Sequence, residues 1–128
     1  MIKDYNKFLE GKNKLHKLRQ DKFEGLLIYV RQDAKSNDHL TFNIANNDDI
    51  WMHAKGYPGS HVVIKVKDNL PTNSVLKHGA ELAKKNSKAK NEKNIDIVYC
   101  KRKFVKKEVG MNDGQVKVDY INSQSINI

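Results

Sequence analysis

The sequence predicts an α+β fold, in which a mostly antiparallel, curved sheet is packed by one main helix and preceded by a short helical N-terminal segment. Strand-like apolar runs occur in both halves of the chain, and only one segment, residues 74–85, repeats apolar and small residues at helical spacing. Strand and helix units do not alternate, which argues against a doubly wound parallel sheet. The length of 128 residues suits a single domain.

The N-terminal segment, residues 1–22, has an imperfect helical pattern. Its apolar positions are Tyr5, Phe8, Leu9, Leu15 and Leu18, and Gly11 and Asn13 interrupt them. This pattern predicts one or two short helices. We therefore divide the chain into an N-terminal helical extension at 1–22 and a domain at 23–128.

Two strands are predicted in the first part of that domain. The continuous apolar run at residues 26–30 is typical of a buried strand, and residues 40–45 form a second apolar run. The polar residues 32–39 between them are predicted to form a turn.

The next two strands flank a loop that contains Gly56, Pro58 and Gly59. Pairing their apolar faces predicts the register Ile50–Val66, Met52–Ile64 and Ala54–Val62. The other face then carries a Trp, two His and several Lys residues, and it resembles a nucleic-acid-binding platform. The members of that face are Trp51, His53, Lys55, His61, Val63, Lys65 and Lys67.

The main helix is predicted after Pro71, with Asn73 or Ser74 as its N-cap. Its inner stripe comprises Val75, Leu76, Gly79, Ala80, Leu82 and Ala83. Small residues in this stripe favour close packing on the sheet. Strands are then predicted at 95–100, 103–109 and 116–121, with a turn at 110–114.

Charge and composition point to a polyanionic partner. The net charge is +9, and ten Lys or Arg residues between 84 and 107 oppose only two acidic ones. No apolar run approaches the length of a membrane span and no secretory signal is evident, so we expect a cytoplasmic protein without a membrane partner. The single Cys100 is predicted to be a buried thiol.

A family resemblance rests on several motifs in order. Residues 49–54 read D-I-W-M-H-A, and residues 58–64 read P-G-S-H-V-V-I. Further matching segments are Asn37-Asp38, Leu40-Thr41-Phe42, Ala80-Glu81-Leu82-Ala83, Ser87-Lys88-Ala89-Lys90, residues 101–107, Gly110 and Gly114-Gln115-Val116. Together they resemble the NFACT-R domain, the RNA-binding domain of NFACT proteins. One departure is Arg31-Gln32-Asp33, where many members have a glycine and an asparagine.

The resemblance implies a non-enzymatic module that binds RNA, with tRNA or ribosomal RNA as ligand and no cofactor. Larger members of the family act in ribosome-associated quality control, where they recognise obstructed large ribosomal subunits and recruit tRNA. A chain of this length is not expected to perform C-terminal tailing alone. A role in tRNA maturation stays open beside quality control, and the oligomeric state is not predicted.

The predicted RNA contacts combine a stacking aromatic, imidazoles that can reach phosphate or 2′-hydroxyl groups, loop amides and phosphate-binding cations. They are Trp51, His53, Lys55, Gly59, Ser60, His61, Lys65, Lys84, Lys88, Lys90, Lys101, Arg102, Lys103 and Lys106. For Trp51 the alternative is a structural aromatic, and for both histidines it is structural hydrogen bonding.

Two other functions fit the residues. An RNA-processing hydrolase could use Asp49, His53 and His61 for acid and base chemistry. A protein-interaction module could bind an acidic partner through the lysine-rich surface. A metal site is not predicted, because His39 and Asp49 do not add a recognised ligand spacing to the two histidines.

Overall fold

The computed structural model describes residues 19–68 and 70–128. Its strands are β1 (Arg19–Phe23), β2 (Leu26–Arg31), β3 (Ile50–Ala54), β4 (His61–Ile64), β5 (Asp96–Lys101), β6 (Val105–Lys106), β7 (Lys117–Val118) and β8 (Gln124–Asn127). Its helices are α1 (Ala34–His39), which continues into a π-helical turn (Leu40–Ile44), and α2 (Asn73–Lys85), with 3₁₀ turns at Arg102–Phe104 and Tyr120–Asn122. Within the described residues, six strands form one antiparallel sheet in the order β1-β2-β4-β3-β5-β8, and β6 pairs with β7.

The predicted main helix, α2, packs on one face of this sheet and confirms the α+β fold class. Val75 and Ala80 lie in one buried cluster with Met52 and Ile64 from the sheet. A Cβ atom at Gly79 would lie 2.8 Å from the Met52 sulfur, so the glycine permits close helix–sheet packing. Thr72 caps the helix, one residue before the predicted Asn73, and its hydroxyl accepts a hydrogen bond from the Val75 amide.

The opposite face of the sheet is also covered. Trp51, Val63 and Val98 form a second buried cluster with Leu40 of the π-helical turn and Val105 of β6. Cys100 is buried in the same cluster, as predicted, and burial raises the pKa of its thiol to about 11. The part of the predicted platform around Trp51 is therefore not an open surface, because two connecting segments pack over it.

The β3–β4 register differs from the predicted one by two residues. Ile50 pairs with Ile64 and Met52 pairs with Val62. A shift of two keeps every side chain on its predicted face, since the side-chain period of a strand is two. Asp49 explains the shift, because its carboxylate accepts a hydrogen bond from the Val66 amide at 2.9 Å and takes Val66 out of the ladder.

The segment between β2 and β3 is helical, which contradicts the predicted turn at 32–39 and strand at 40–45. Asp33 caps α1 by accepting a hydrogen bond from the Ser36 amide at 2.9 Å. Helical geometry then carries Leu40 and the partly buried Phe42 and Ile44 onto the second cluster. The strand predicted from the apolar run at 26–30 is confirmed as β2.

The ends of the domain also differ from prediction. Residues 19–22, assigned to the helical extension, belong to β1, and residues 1–18 of that predicted segment lie outside the described residues. A tight turn joins β1 to β2, in which Glu24 and Gly25 both have positive φ. The predicted strands at 103–109 and 116–121 shorten to β6 and β7, and the unpredicted β8 pairs with β5.

Candidate nucleic-acid interface

A cleft of about 700 Å³ opens on the face of the sheet opposite α2. Its floor is formed by side chains of β3, β4 and β5, namely Trp51, His53, His61 and Val98. Its walls are formed by the β3–β4 loop, the start of α1, Met111, residues 113–116 and Tyr120. The cleft thus contains five of the predicted contacts, which are Trp51, His53, Lys55, Gly59 and His61.

His61 is held by the helical segment that the sequence did not predict. A hydrogen bond of 2.8 Å joins its Nδ1 to Thr41 Oγ1, and its backbone amide donates to Asn37 Oδ1 at 3.0 Å. The Asn37 side-chain amide also donates to the Gly59 carbonyl at 2.9 Å, and this hydrogen bond connects α1 to the β3–β4 loop, which we call the cleft loop. Asn37 and Thr41 are four residues apart and therefore share one face of a helix. This spacing was the signal in the sequence that could have predicted both partners of His61.

Burial keeps His61 uncharged. His61 is 2% exposed, and desolvation, with a smaller contribution from nearby His53, lowers its pKa to about 3. Burial also lowers the pKa of His53, which is half-buried. His61 is therefore a neutral hydrogen-bonding group at neutral pH and does not supply a cation to a phosphate.

Trp51, His53 and His61 form a compact aromatic cluster. The Trp51 and His53 rings lie 5.9 Å apart at an interplanar angle of 19°, and His53 meets His61 edge-on at 5.5 Å. Trp51 is only 1% exposed, so its indole has no open face for a base, contrary to the stacking prediction. Its Nε1 is buried and has no hydrogen-bond partner among the described residues.

Gly59 and Ser60 connect the cleft loop to the turn after α2. Gly59 forms a β-bridge with Ser87, and the buried Ser60 hydroxyl donates to the Asn86 carbonyl at 2.9 Å. Ser60 therefore has a structural partner, and its predicted RNA contact is not available in this conformation. Asn86 was not predicted, although its side chain also accepts hydrogen bonds from Arg19 and Gln32.

Replacing Gly59 by alanine is expected to destabilise the domain by about 1 to 3 kcal/mol, the usual range for overpacking. A Cβ atom there would lie 2.6 Å from the Ser87 Cα, and backbone cannot yield as a flexible side chain does. Urea unfolding followed by circular dichroism measures the effect. The adjacent exposed Pro58→Ala serves as the control, and equal stability of G59A and wild type would contradict the close approach.

A second group of predicted contacts lies at the far end of the sheet. We call Lys101, Arg102, Lys103 and Lys106 the basic edge. Because Lys101 pairs with Ile50 at the start of β3, Lys101 is separated from Lys55 by five residues along that strand, about 17 Å. Arg102 is fixed in place, since its Nε donates to the Thr41 carbonyl at 2.8 Å and its guanidinium lies 4.9 Å from the centre of the Phe42 ring.

The remaining predicted lysines neither line the cleft nor belong to the basic edge. Lys65 Nζ is 2.6 Å from the buried Asp49 carboxylate, which neutralises it. Lys84 is in the last turn of α2. Lys88 and Lys90 are exposed in the turn that follows, where the Lys88 amide donates to the Pro58 carbonyl of the cleft loop.

The segment between β6 and β7, which forms one wall of the cleft, is anchored by Lys107, a residue outside the predicted site. Lys107 Nζ lies 2.9 Å from the Asp38 carboxylate and donates to the Gln115 carbonyl at 2.8 Å and to the Asn112 carbonyl. This links β6, α1 and the cleft wall. Lys107 is therefore an anchor with its charge neutralised by Asp38.

The structure does not provide the arrangement of Asp49, His53 and His61 that the alternative function, an RNA-processing hydrolase, would need. Asp49 precedes β3 and binds Lys65, whereas His53 and His61 are at the cleft end of the strands. The three side chains are not brought together. In the described ranges, no group of three His, Cys, Asp or Glu residues could hold a metal ion. Nor does the described part of the chain contain a helix long and apolar enough to cross a bilayer.

Comparison with known families decides the classification. Residues 14–119 match the model of the NFACT protein RNA-binding domain. The chain belongs to this family. The family is described as an RNA-binding domain, and this match confirms the resemblance predicted from the sequence motifs.

Similar proteins include the Rqc2 homolog RqcH of Bacillus subtilis (strain 168), which is 39% identical over 95 residues. The RqcH of Streptococcus suis (strain 05ZYH33) is 40% identical over 91 residues. These alignments cover 74% and 70% of this chain but only 16% of each relative. A coiled-coil domain-containing protein 25 homolog of Dictyostelium discoideum is 32% identical over 70% of this chain and 46% of its own length.

A solved structure supports the same fold. The C-terminal part of the fibronectin/fibrinogen-binding protein from Streptococcus suis superposes with a TM-score of 0.78 at 33% sequence identity. The match covers 87% of this chain and 44% of that one. The two proteins thus share a fold over most of this chain.

Proposed function

We propose that this NFACT RNA-binding domain binds structured RNA, namely tRNA or ribosomal RNA, without catalysing a reaction. The observation that carries the proposal is the basic edge, in which Lys103 and Lys106 are exposed and Lys101 and Arg102 are half-buried, in a domain of an RNA-binding family. Phosphate contacts supply most of the sequence-independent affinity for nucleic acid.

The charges of the basic edge differ from those of the neutralised lysines. Arg102, Lys103 and Lys106 form no salt bridge with a carboxylate of the described residues, and Lys101 is 3.6 Å from the exposed Asp48. Lys65 and Lys107, by contrast, lie within 2.9 Å of Asp49 and Asp38 respectively. Because a phosphate must compete with any carboxylate already bound, the basic edge is the more accessible phosphate site.

The RqcH relatives connect the proposal to the ribosome. We extend it to contact with the large ribosomal subunit or its tRNA during ribosome-associated quality control, with tRNA maturation as the other setting. The chain corresponds to 16% of the RqcH length, so this role is the contribution of an RNA-contacting domain. The buried, neutral His61 and the separate Asp49 favour binding over hydrolysis.

Charge reversal of Lys101, Lys103 and Lys106 together is expected to weaken binding to tRNA and to flatten its salt dependence. The slope of log K against log salt should fall by about 0.7 to 0.9 for each phosphate that the variant no longer binds. Fluorescence anisotropy with tRNA, ribosomal RNA fragments and duplex DNA at several salt concentrations measures it.

The matched control reverses Lys22, Lys77 and Lys93, which are exposed and outside the basic edge, so that the net charge changes equally. An equal loss of affinity for the two triple variants would mean that net charge alone drives binding. Wild-type binding that is no stronger for RNA than for duplex DNA would contradict the RNA preference and favour an acidic protein partner.

A further inference from the structure

The interior of the cleft is built from uncharged polar and aromatic groups. Burial keeps His61 and His53 neutral, and the Asp38 carboxylate neutralises Lys107 behind the wall. Asp113 lies in the wall and adds a negative charge. Among the described lining residues, the one cation without a carboxylate partner is Lys55 at the rim, so the interior beyond it suits a neutral ligand.

Aromatic rings surround the entrance to this neutral interior. His53 is the half-buried outer ring of the aromatic cluster, and Tyr57 and Tyr120 line the walls. Lys55 Nζ lies 5.2 Å from the centre of the exposed Tyr120 ring, which places one cation at the rim. Flat rings inside and a cation at the mouth match the two parts of a nucleotide, its base and its phosphate.

The cleft also has unused hydrogen-bonding capacity. A neutral imidazole has one donor and one acceptor nitrogen, and the neutral His53 ring forms no hydrogen bond to a described residue. The volume of about 700 Å³ is ample for a flat heterocycle with its sugar.

We propose that the cleft captures one unstacked nucleobase of the bound RNA, with the base against His53 and Tyr120 and its flanking phosphate at Lys55. This inference rests on the proposed RNA binding and adds a specific ligand for one site. The basic edge then holds phosphates about one strand length away on the same RNA. Recognition of a splayed base is how folded domains read single-stranded loops in structured RNA.

Trp51 supplies the assay, because it is the chain's single tryptophan and lines the cleft floor. Single-stranded RNA decamers and abasic decamers with the same number of phosphates are titrated at low salt, and both Trp51 fluorescence and anisotropy are recorded. We expect the base-containing decamers to change the Trp51 emission and to bind about 5- to 150-fold more tightly than the abasic ones, as stacking of one base would give.

Tyr120→Ser tests the contact, and the neighbouring Ile121→Ser is its matched control because Ile121 is exposed and does not line the cleft. Y120S should lose at least about fivefold in affinity for base-containing decamers and nothing for abasic ones, whereas I121S should match the wild type. Equal binding of abasic and base-containing decamers, or equal behaviour of the two variants, would overturn base capture. The triple charge-reversal variant of the basic edge distinguishes the two proposals. If RNA binding depends on Lys101, Lys103 and Lys106 while the base-capture experiments fail, the proposed RNA binding stands and only base capture is overturned.

Discussion

Replacement of Trp51 by alanine is expected to lower the free energy of unfolding by about 3 to 5 kcal/mol, the usual cost of removing a large buried aromatic side chain. The indole is 1% exposed and packs with Val63, Val98 and Leu40 between the sheet and the π-helical turn. Its removal would leave a cavity that a sheet held on both faces cannot close. Urea unfolding followed by circular dichroism measures the change.

Tyr120→Ala is the control for that experiment, because Tyr120 is an exposed aromatic on the wall of the same cleft. It should change the unfolding free energy by less than about 1 kcal/mol. A similarly small effect of W51A would show that Trp51 is a surface side chain, and the sequence-based stacking interpretation would return. Loss of RNA binding by W51A is informative only under conditions where the variant is still folded.

Acidification from pH 6.5 to pH 4.5 is expected to destabilise the domain steeply because of His61. Its pKa is about 3 in the folded chain, against about 6.5 in an unfolded one. Between these values the unfolded chain binds the extra proton, so stability falls with falling pH by about 1.4 kcal/mol per pH unit. His53, whose pKa burial also lowers, acts in the same direction.

The measurement is the unfolding free energy as a function of pH in wild type and His61→Gln. Glutamine can keep a hydrogen bond to Thr41 but does not titrate, so H61Q should show a much shallower slope even where its stability at pH 7 is lower. Parallel curves for H61Q and wild type would contradict the buried, neutral imidazole.

The lower limit of pH 4.5 separates His61 from Asp21. The hydrogen bond from His78 to the Asp21 carboxylate lowers the pKa of Asp21, so its contribution is lost only as pH falls below the ordinary carboxylate range. That pair joins β1 to α2 at the surface, where an ion pair contributes about 0 to 1 kcal/mol.

Side-chain periodicity in the sequence predicted which residues share a face. The alternation in β3 and β4 grouped Trp51 with His53 and His61, and the structure confirms that grouping, with the two imidazoles 5.5 Å apart. The stripe along α2 and its small residue Gly79 predicted a helix packed closely on the sheet. These features depend on local spacing, and a register shift of two residues leaves them unchanged.

The sequence by itself thus determined the fold class, the faces of the strands, the main helix and the family. Only the tertiary structure decided that the Trp51 face is covered, because the apolar residues 40–45 fit a strand or a helix until Asp33 caps α1 and Leu40 packs on Trp51. Tertiary contacts likewise decided which lysines are neutralised by a carboxylate and which remain available to a phosphate. Asp49 and Asp38 neutralise Lys65 and Lys107 across 16 and 69 residues of sequence. Pairings at such separations depend on how the chain packs, and local residue patterns do not encode them.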